Sequence, residues 1–177
     1  MKENKVTKKS FFRNSGEKKV LRITSENDVK SYLFYTDISN ILFILENGIN
    51  PVNNIRDLIT TEYTVWSYLE HDESIGLEFD NSNRKNFWGW IEESEADIKS
   101  IAVIGIDPST LSDITVYDWS YDDKSKTVAI NEPIGVEAIQ WIMVKEKAEF
   151  NAIKARVSIL NLKIRIFLGD NGSIIES

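Results

Sequence analysis

Residues 34–49 read FYTDISNILFILENGI, and the periodicity of the chain changes within them. Ser31 to Tyr35, at their head, has the aromatic composition of a short strand. Asp37 is a good N-cap, because its side-chain oxygen can satisfy an N–H of the first helical turn that has no intrahelical partner. Apolar residues then recur at Ile38, Ile41, Leu42 and Leu45, the i, i+3, i+4, i+7 stripe of a half-buried helix. Gly48 fits the C′ stop, where a positive φ ends the helix. The unit is a strand feeding a capped amphipathic helix.

Further along, Asn50-Pro51 reads as a turn, Ile55 to Thr60 as a helical turn, and TEYTVWSYLE (61–70) fits helix or strand. Ile75 to Asp80 is a strand. The segment NSNRKNFWGWIEESEAD (81–97) has turn chemistry followed by an acidic, Trp-bearing stretch that covers part of a sheet. Ile101 to Ile106 is a continuous apolar run of strand length, closed by Asp107-Pro108-Ser109, the start of one short helical turn. Ile114 to Trp119 and Lys126 to Ile130 alternate as strands, with SYDDKS as the loop between them. Pro133 to Gln140 gives a helical turn before a strand at Trp141 to Val144. Lys145 to Val157 is a helix with Ala148, Phe150, Ile153 and Val157 on its apolar side. In SILNLKIRIFL (158–168), Leu160, Leu162, Ile164, Ile166 and Leu168 face one way, the pattern of a half-buried strand. Strands mixed with a few helices, without regular βαβ alternation, give an α+β fold.

Composition bounds the function. The chain has 177 residues, 42% apolar and 28% charged, which suits a single folded domain. With no Cys, disulfides, thiol catalysis and zinc–cysteine sites are excluded. No apolar run reaches the length of a membrane span and no hydrophobic segment follows the basic start, so the cytoplasm is the default compartment and no membrane partner is expected. The net charge of −7 hides an asymmetry: residues 1–22 carry eight Lys/Arg against two Glu, whereas the other 155 carry 13 basic and 26 acidic side chains. This divides the chain into a basic arm (1–22) and one α+β domain (23–177). The arm suits nucleic-acid phosphates, and equally a solvated tail or a segment folded back on its own domain.

Most other features read as ordinary surface or core. Glu92, Glu93, Glu95 and Asp97, and Asp118, Asp122 and Asp123, lack the spacing of a calcium loop. His71 is the one histidine, which rules out any multi-histidine metal site, and its charged neighbours place it in an exposed loop. Trp66, Trp88, Trp90, Trp119 and Trp141 are core candidates. Phosphate-loop, dinucleotide-fold, hydrolase-elbow and zincin motifs are all absent.

Three blocks taken together resemble DarT-type DNA ADP-ribosyltransferases. FYTDISNILFILENGI is similar to that family's H-x-T strand running into a helix of the form I-x-N-L-x-x-I-L-x-x-G. SIAVIGIDPSTL followed by ITVYDW (100–119) resembles its V-L-x-I-D-P-S-x-L strand pair. TVAINEPIGVEAIQWIMV (127–144) resembles its strand, P-x-x-V-P-L-E-A-I turn and following strand. The blocks stand in family order over about 110 residues. The resemblance implies an ADP-ribosyltransferase-like split antiparallel sheet with a few short helices, NAD⁺ as cofactor, and a toxin or phage-defence setting.

Carried over residue by residue, Thr36 and Asn40 match, while Phe34 stands where the family has its histidine. An ungapped match puts Thr127 at the place of the catalytic glutamate, with Glu132 five residues on, and the loop before it (Tyr117 to Lys126) is short for the family's substrate-gripping element. Arg56 is the nearest match to an arginine expected after the first helix. A rebuilt site would then use Arg56 and Glu132, or Glu78, for catalysis, with Phe34, Tyr35, Thr36, Asn40 and Tyr63 around the cofactor. Two functions follow from the resemblance: an NAD⁺-dependent enzyme modifying nucleic acid or protein, or a catalytically degenerate member that binds or regulates a protein partner. A different small α+β domain is the third reading.

Overall fold

The strand that opens the quoted stretch is the centre of a sheet. The computed structural model describes residues 15–50, 75–81, 98–114, 120–122, 124, 126–170 and 173–176. Strand β1 (Ser31–Asp37) lies between β2 (Ile75–Asp80) and β3 (Ile101–Ile106), antiparallel to both. The remaining strands are β4 (Ser120–Asp122), β5 (Thr127–Ile130), β6 (Ile139–Val144), β7 (Arg165–Asp170) and β8 (Ser173–Glu176). Among the described residues they form one eight-stranded sheet in the order β4-β5-β2-β1-β3-β6-β7-β8. Each pairing is antiparallel except β6 with β7. That parallel pair needs a crossover, which a helix supplies. The α-helices among the described residues are α1 (Ser15–Glu26), α2 (Ile41–Asn47), α3 (Pro108–Ile114) and the crossover α4 (Lys147–Ile159). The α+β expectation holds.

Side chains alternate across a strand, and the register sorts the sheet into two faces. Tyr32, Phe34, Leu77, Ile104, Val128 and Ile142 point to one, where they bury Val20 and Ile23 of α1, Ile41, Ile44 and Leu45 of α2, Leu111 of α3, and Phe150, Ile153 and Val157 of α4. On the other, Leu33, Tyr35, Ile101, Val103, Trp141 and Met143 form a second buried cluster with Phe167 against it. All seven residues of β1 are therefore buried. Its polar members have partners: the Ser31 hydroxyl donates to Gln140 Oε1 at 3.3 Å and accepts from Trp141 Nε1 at 3.3 Å. Gly105 of β3 makes room for the Trp141 indole, since a Cβ there would collide with its ring atoms.

The quoted unit forms as read, with one change of phase. Asp37 caps the turn by accepting from the Ser39 N–H at 2.8 Å, and Gly48 ends α2 at φ +75° with its N–H on the Ile44 carbonyl. The first turn, Ile38–Asn40, is 3₁₀, which advances more per residue than an α-turn and rotates the stripe. Ile41, Ile44 and Leu45 face inward, and Leu42 is 51% exposed. Gly48 is required twice over: by its φ, and because a Cβ would meet the Ile134 carbonyl oxygen. Beyond it, Ile49 and Ile134 exchange backbone bonds at 2.8 Å each.

Ile75–Asp80 and Ile101–Ile106 are strands with the bounds read from the sequence. Other boundaries moved: β1 runs on to Asp37 and β5 starts at Thr127. Asp107 accepts from both the N–H and the hydroxyl of Thr110, so α3 continues to Ile114, the residue expected to open a strand. Strand β4 lies in SYDDKS, the expected loop, because Ser120–Asp122 pairs with β5 and Tyr121 stacks on Phe79 at 5.8 Å. The Pro133–Gln140 turn is 3₁₀ at Val136–Ala138, and β6 begins at Ile139. Helix α4 runs on to Ile159, where Asn161 at φ 52° and the Leu162 N–H on the Val157 carbonyl make a left-handed stop. The last long strand therefore starts at Arg165, with Ile164 and Ile166 buried as expected. Ala148 is exposed, since it lies about 200° round the helix from Phe150.

The boundary drawn at residue 22 falls inside α1, whose Val20 is fully buried. Asn50-Pro51 straddles the limit of the first described stretch. The expectations for 51–74 and 82–97, with Trp66, Trp88 and Trp90, and for 115–119 with Trp119, fall outside the described residues. No helix among the described residues is long and apolar enough to cross a membrane.

Two measurements probe this packing. Gly105→Ala forces the indole of Trp141 out of place, and urea denaturation should show a loss of about 1–3 kcal/mol, the usual range for overpacking a core. Burial pushes the Tyr32 phenol up to about 12, while its hydroxyl pairs with Thr24 at 2.9 Å. The unfolded chain gives up that proton near pH 10, so stability should fall between pH 10 and 12, by at most about 3 kcal/mol. Tyr32→Phe should flatten that fall in a pH series of melts.

Candidate functional site

The three blocks of sequence that drew attention come together in space. β1 pairs with β3, β3 with β6, and the exit of α2 docks through Ile49 on Ile134, in the turn ahead of β6. The Asp107 N–H reaches the Ala138 carbonyl at 2.8 Å, which fastens the second block to the third. An ion pair between Glu46 and Arg156 joins α2 to α4 on the outside.

Thr36 and Asn40 are placed as a pair. Both are buried, at 0% and 4% exposure, and the Asn40 Nδ2 donates to the Thr36 Oγ1 at 3.1 Å. The bond ties the 3₁₀ turn back onto the strand from which it leaves. Phe34, two residues earlier on the same face, packs in the helix-covered core, while Tyr35 points into the opposite cluster with Trp141 and Met143. Arg56, Tyr63 and His71 lie outside the described residues. Glu132 is half-buried in the turn that follows β5.

The register adds something the spacing alone does not. Thr127, at the glutamate position of the resemblance, opens β5 directly across from Glu78 of β2, and Glu78 in turn lies across from Leu33 of β1. Asp122 of β4 lies across from Thr127 on its other side. Directly paired residues share a face with Cβ atoms about 4.5–5.5 Å apart. A carboxylate therefore stands on the neighbouring strand at the level where β5 carries a hydroxyl. Glu78 and Thr127 are half-buried and Asp122 is exposed, so this row runs from the covered middle of the sheet to its open margin. In IGLEFD the alternation separates Ile75, Leu77 and Phe79 from Gly76, Glu78 and Asp80, so the face of Glu78 was readable. Its neighbour was not, since the register depends on which strands pair.

A concavity lies at the other end of β1, about 13 Å from the level of Leu33 at 3.3 Å per residue. It is a cleft of about 470 Å³ lined by Asp37, Ser39, Lys99, Ser100, Glu146 and Glu149 with apolar flanks from α2 and α4. Lys99 and Glu146 pair across it at 3.5 Å. Among the described residues no group of three His, Cys, Asp or Glu is placed to hold a metal ion.

The row on β4, β5 and β2 thus sets a half-buried carboxylate, Glu78, beside the hydroxyl-bearing Thr127.

No family model matches the sequence, and no curated protein matches it. The fold is similar to a solved structure, Thermosipho africanus DarTG in complex with ADP-ribose, with a TM-score of 0.51 at 15% sequence identity. The likeness covers 78% of this chain and 50% of that one, so this chain spans about half the length of the solved chain it matches. At that identity the likeness shows the fold: the chain has a DarT-like, ADP-ribosyltransferase-like α+β fold.

The Thr36–Asn40 bond is open to measurement. Asn40→Ala leaves a buried hydroxyl without its donor and should cost about 1–3 kcal/mol in urea denaturation. Thr36→Val with Asn40→Leu should cost less than the two single changes added, because the double variant leaves no orphaned polar group.

Proposed function

We propose that this domain is an ADP-ribosyltransferase-fold protein that takes NAD⁺ and transfers ADP-ribose to a nucleic acid or protein, with Glu78 as its working carboxylate. The observation that supports this most is the pairing of Glu78 with Thr127, in a fold like that of a protein solved with ADP-ribose. NAD⁺ supplies the ADP-ribosyl group and, in nicotinamide, its leaving group. Glu78 accepts hydrogen bonds from ribose hydroxyls and offsets the positive charge that builds at the anomeric carbon. Thr127 orients that carboxylate from across the ladder, and Arg56 is the cation for the pyrophosphate. The basic residues near the N-terminus recruit a polyanionic substrate.

A second reading has its own observation. Phe34 fills the place of a histidine with a ring sealed in the aliphatic core, which favours a module that binds the dinucleotide or a partner without turning it over.

One set of assays separates the two. Thermal melts with millimolar NAD⁺ and ADP-ribose report binding, and nicotinamide release with and without single-stranded DNA reports turnover. For the enzyme, NAD⁺ raises the melting temperature, nicotinamide is released, and Glu78→Gln lowers release at least about a hundredfold while melting shifts persist. Binding without release selects the second reading; no shift with either ligand sinks the enzyme and the dinucleotide-binding form of the second reading. A chain lacking residues 1–14, which keeps α1 whole, should lose the salt-sensitive part of any DNA dependence.

A further inference from the structure

The cleft of about 470 Å³ between the first turns of α2 and α4 has no part in the chemistry proposed for Glu78. Ile38, Leu42 and Ala152 make its apolar wall, and Leu42 is one of three large apolar side chains exposed among the described residues. A second, Phe43, follows it on α2. Most of the polar groups in the wall are already engaged. Asp37 accepts from the Ser39 N–H, and Glu146 pairs with Lys99 at 3.5 Å. Glu149 differs: it is half-buried in the first turn of α4, and its carboxylate has no partner among the described residues. A half-buried carboxylate beside an exposed apolar wall suits a ligand that brings a large apolar group and a cation together.

This chain carries such a ligand. Residues 1–14, ahead of α1, hold five Lys/Arg against one Glu, with Phe11 and Phe12 set between Lys8-Lys9 and Arg13. The following 163 residues hold 16 basic and 27 acidic side chains, so arm and body attract each other. Helix α1 buries Val20 and Ile23 in the same core as α2 and α4, which puts its start on the cleft's side of the sheet. Fourteen extended residues span up to about 46 Å, whereas a domain of this size has a radius of gyration of about 15 Å. The cleft is within reach.

We infer that residues 8–13 dock in the cleft between α2 and α4, with a Phe ring against Leu42 and Ala152 and a neighbouring cation on Glu149. The tether makes the contact intramolecular, so a weak one suffices to hold the arm. Docked cations are withheld from phosphates, and a nucleic acid that claims them pulls the arm out of the cleft. The contact needs neither NAD⁺ nor turnover, so it stands or falls separately from the activity proposed for Glu78.

The test uses the full chain. It has no cysteine of its own, so a nitroxide on Ser10→Cys reports the arm alone. Its paramagnetic broadening should fall on the amides of Ser39, Leu42, Glu149 and Ala152 and spare those of β4, at the far margin of the sheet. Glu149→Lys should cut that broadening at least about threefold, and Glu149→Gln, which keeps the shape, should cut it less. Adding Lys8→Glu/Lys9→Glu/Arg13→Glu to the Glu149→Lys chain should restore it, and oligothymidylate should remove it from the parent. Four results would overturn the inference: broadening spread evenly or centred elsewhere; broadening unchanged by Glu149→Lys; broadening that survives saturating oligothymidylate; or broadening passed, in a mixture, from a nitroxide-bearing copy to an isotope-labelled copy without one. The last would make the occupant the arm of a second copy.

Discussion

A strand with both faces covered has no side chain to give to water, and β1 is such a strand. The helices α1 to α4 pack on one face and the Trp141 cluster closes the other. Every polar group in Ser31–Asp37 must then find a protein partner, because a buried group left without one costs more than an ordinary hydrogen bond returns. The solutions are local and specific: Ser31 reaches β6, Thr36 reaches the turn that follows, and Asp37 caps that turn. The strand, the turn and the start of α2 are in this sense one object.

That explains what was legible in the sequence and what was not. Asp37, Gly48, the Asp107-Pro108 start and the apolar run at Ile101–Ile106 announced themselves, since caps, stops and buried strands are written in adjacent residues. β4 did not, because it exists through partners distant in sequence: Tyr121 rests on Phe79, and Ser120 pairs with Ala129. The end of α4 was hidden by a coincidence of periods. SILNLKIRIFL alternates, but its first residues belong to a helix stopped by Asn161, a residue that tolerates positive φ and was the available signal.

The candidate site divides along the same line. Thr36 and Asn40 carried a spacing that a strand-to-helix turn preserves, and they do meet. Phe34 carried the same spacing and lies in the core, so the position is kept while its polarity is not. Glu78 needed the pairing of β1, β2 and β5 before it had a neighbour to be compared with. The fold is DarT-like, while Phe34 and Thr127 stand where the pattern that led to it has a histidine and a glutamate. Fold and function are separable in this way because a sheet fixes where side chains can stand and leaves open which ones do.

The burial of β1 on both faces also sets a timetable for the ribosome. Its partner β3 ends at Ile106, roughly 70 residues after β1 itself is complete, and Trp141, which seals the second face, is 110 residues from Ser31. At synthesis rates of about 5–20 residues per second, this seven-residue strand waits roughly 2–9 s for β2, its first long-range neighbour, and roughly 4–14 s for β3. During that interval the nascent chain carries a segment whose residues are all buried in the finished fold. A cell making this protein quickly has more unfinished copies present at once, and yield becomes a matter of holding that segment apart from its duplicates until residue 106 emerges.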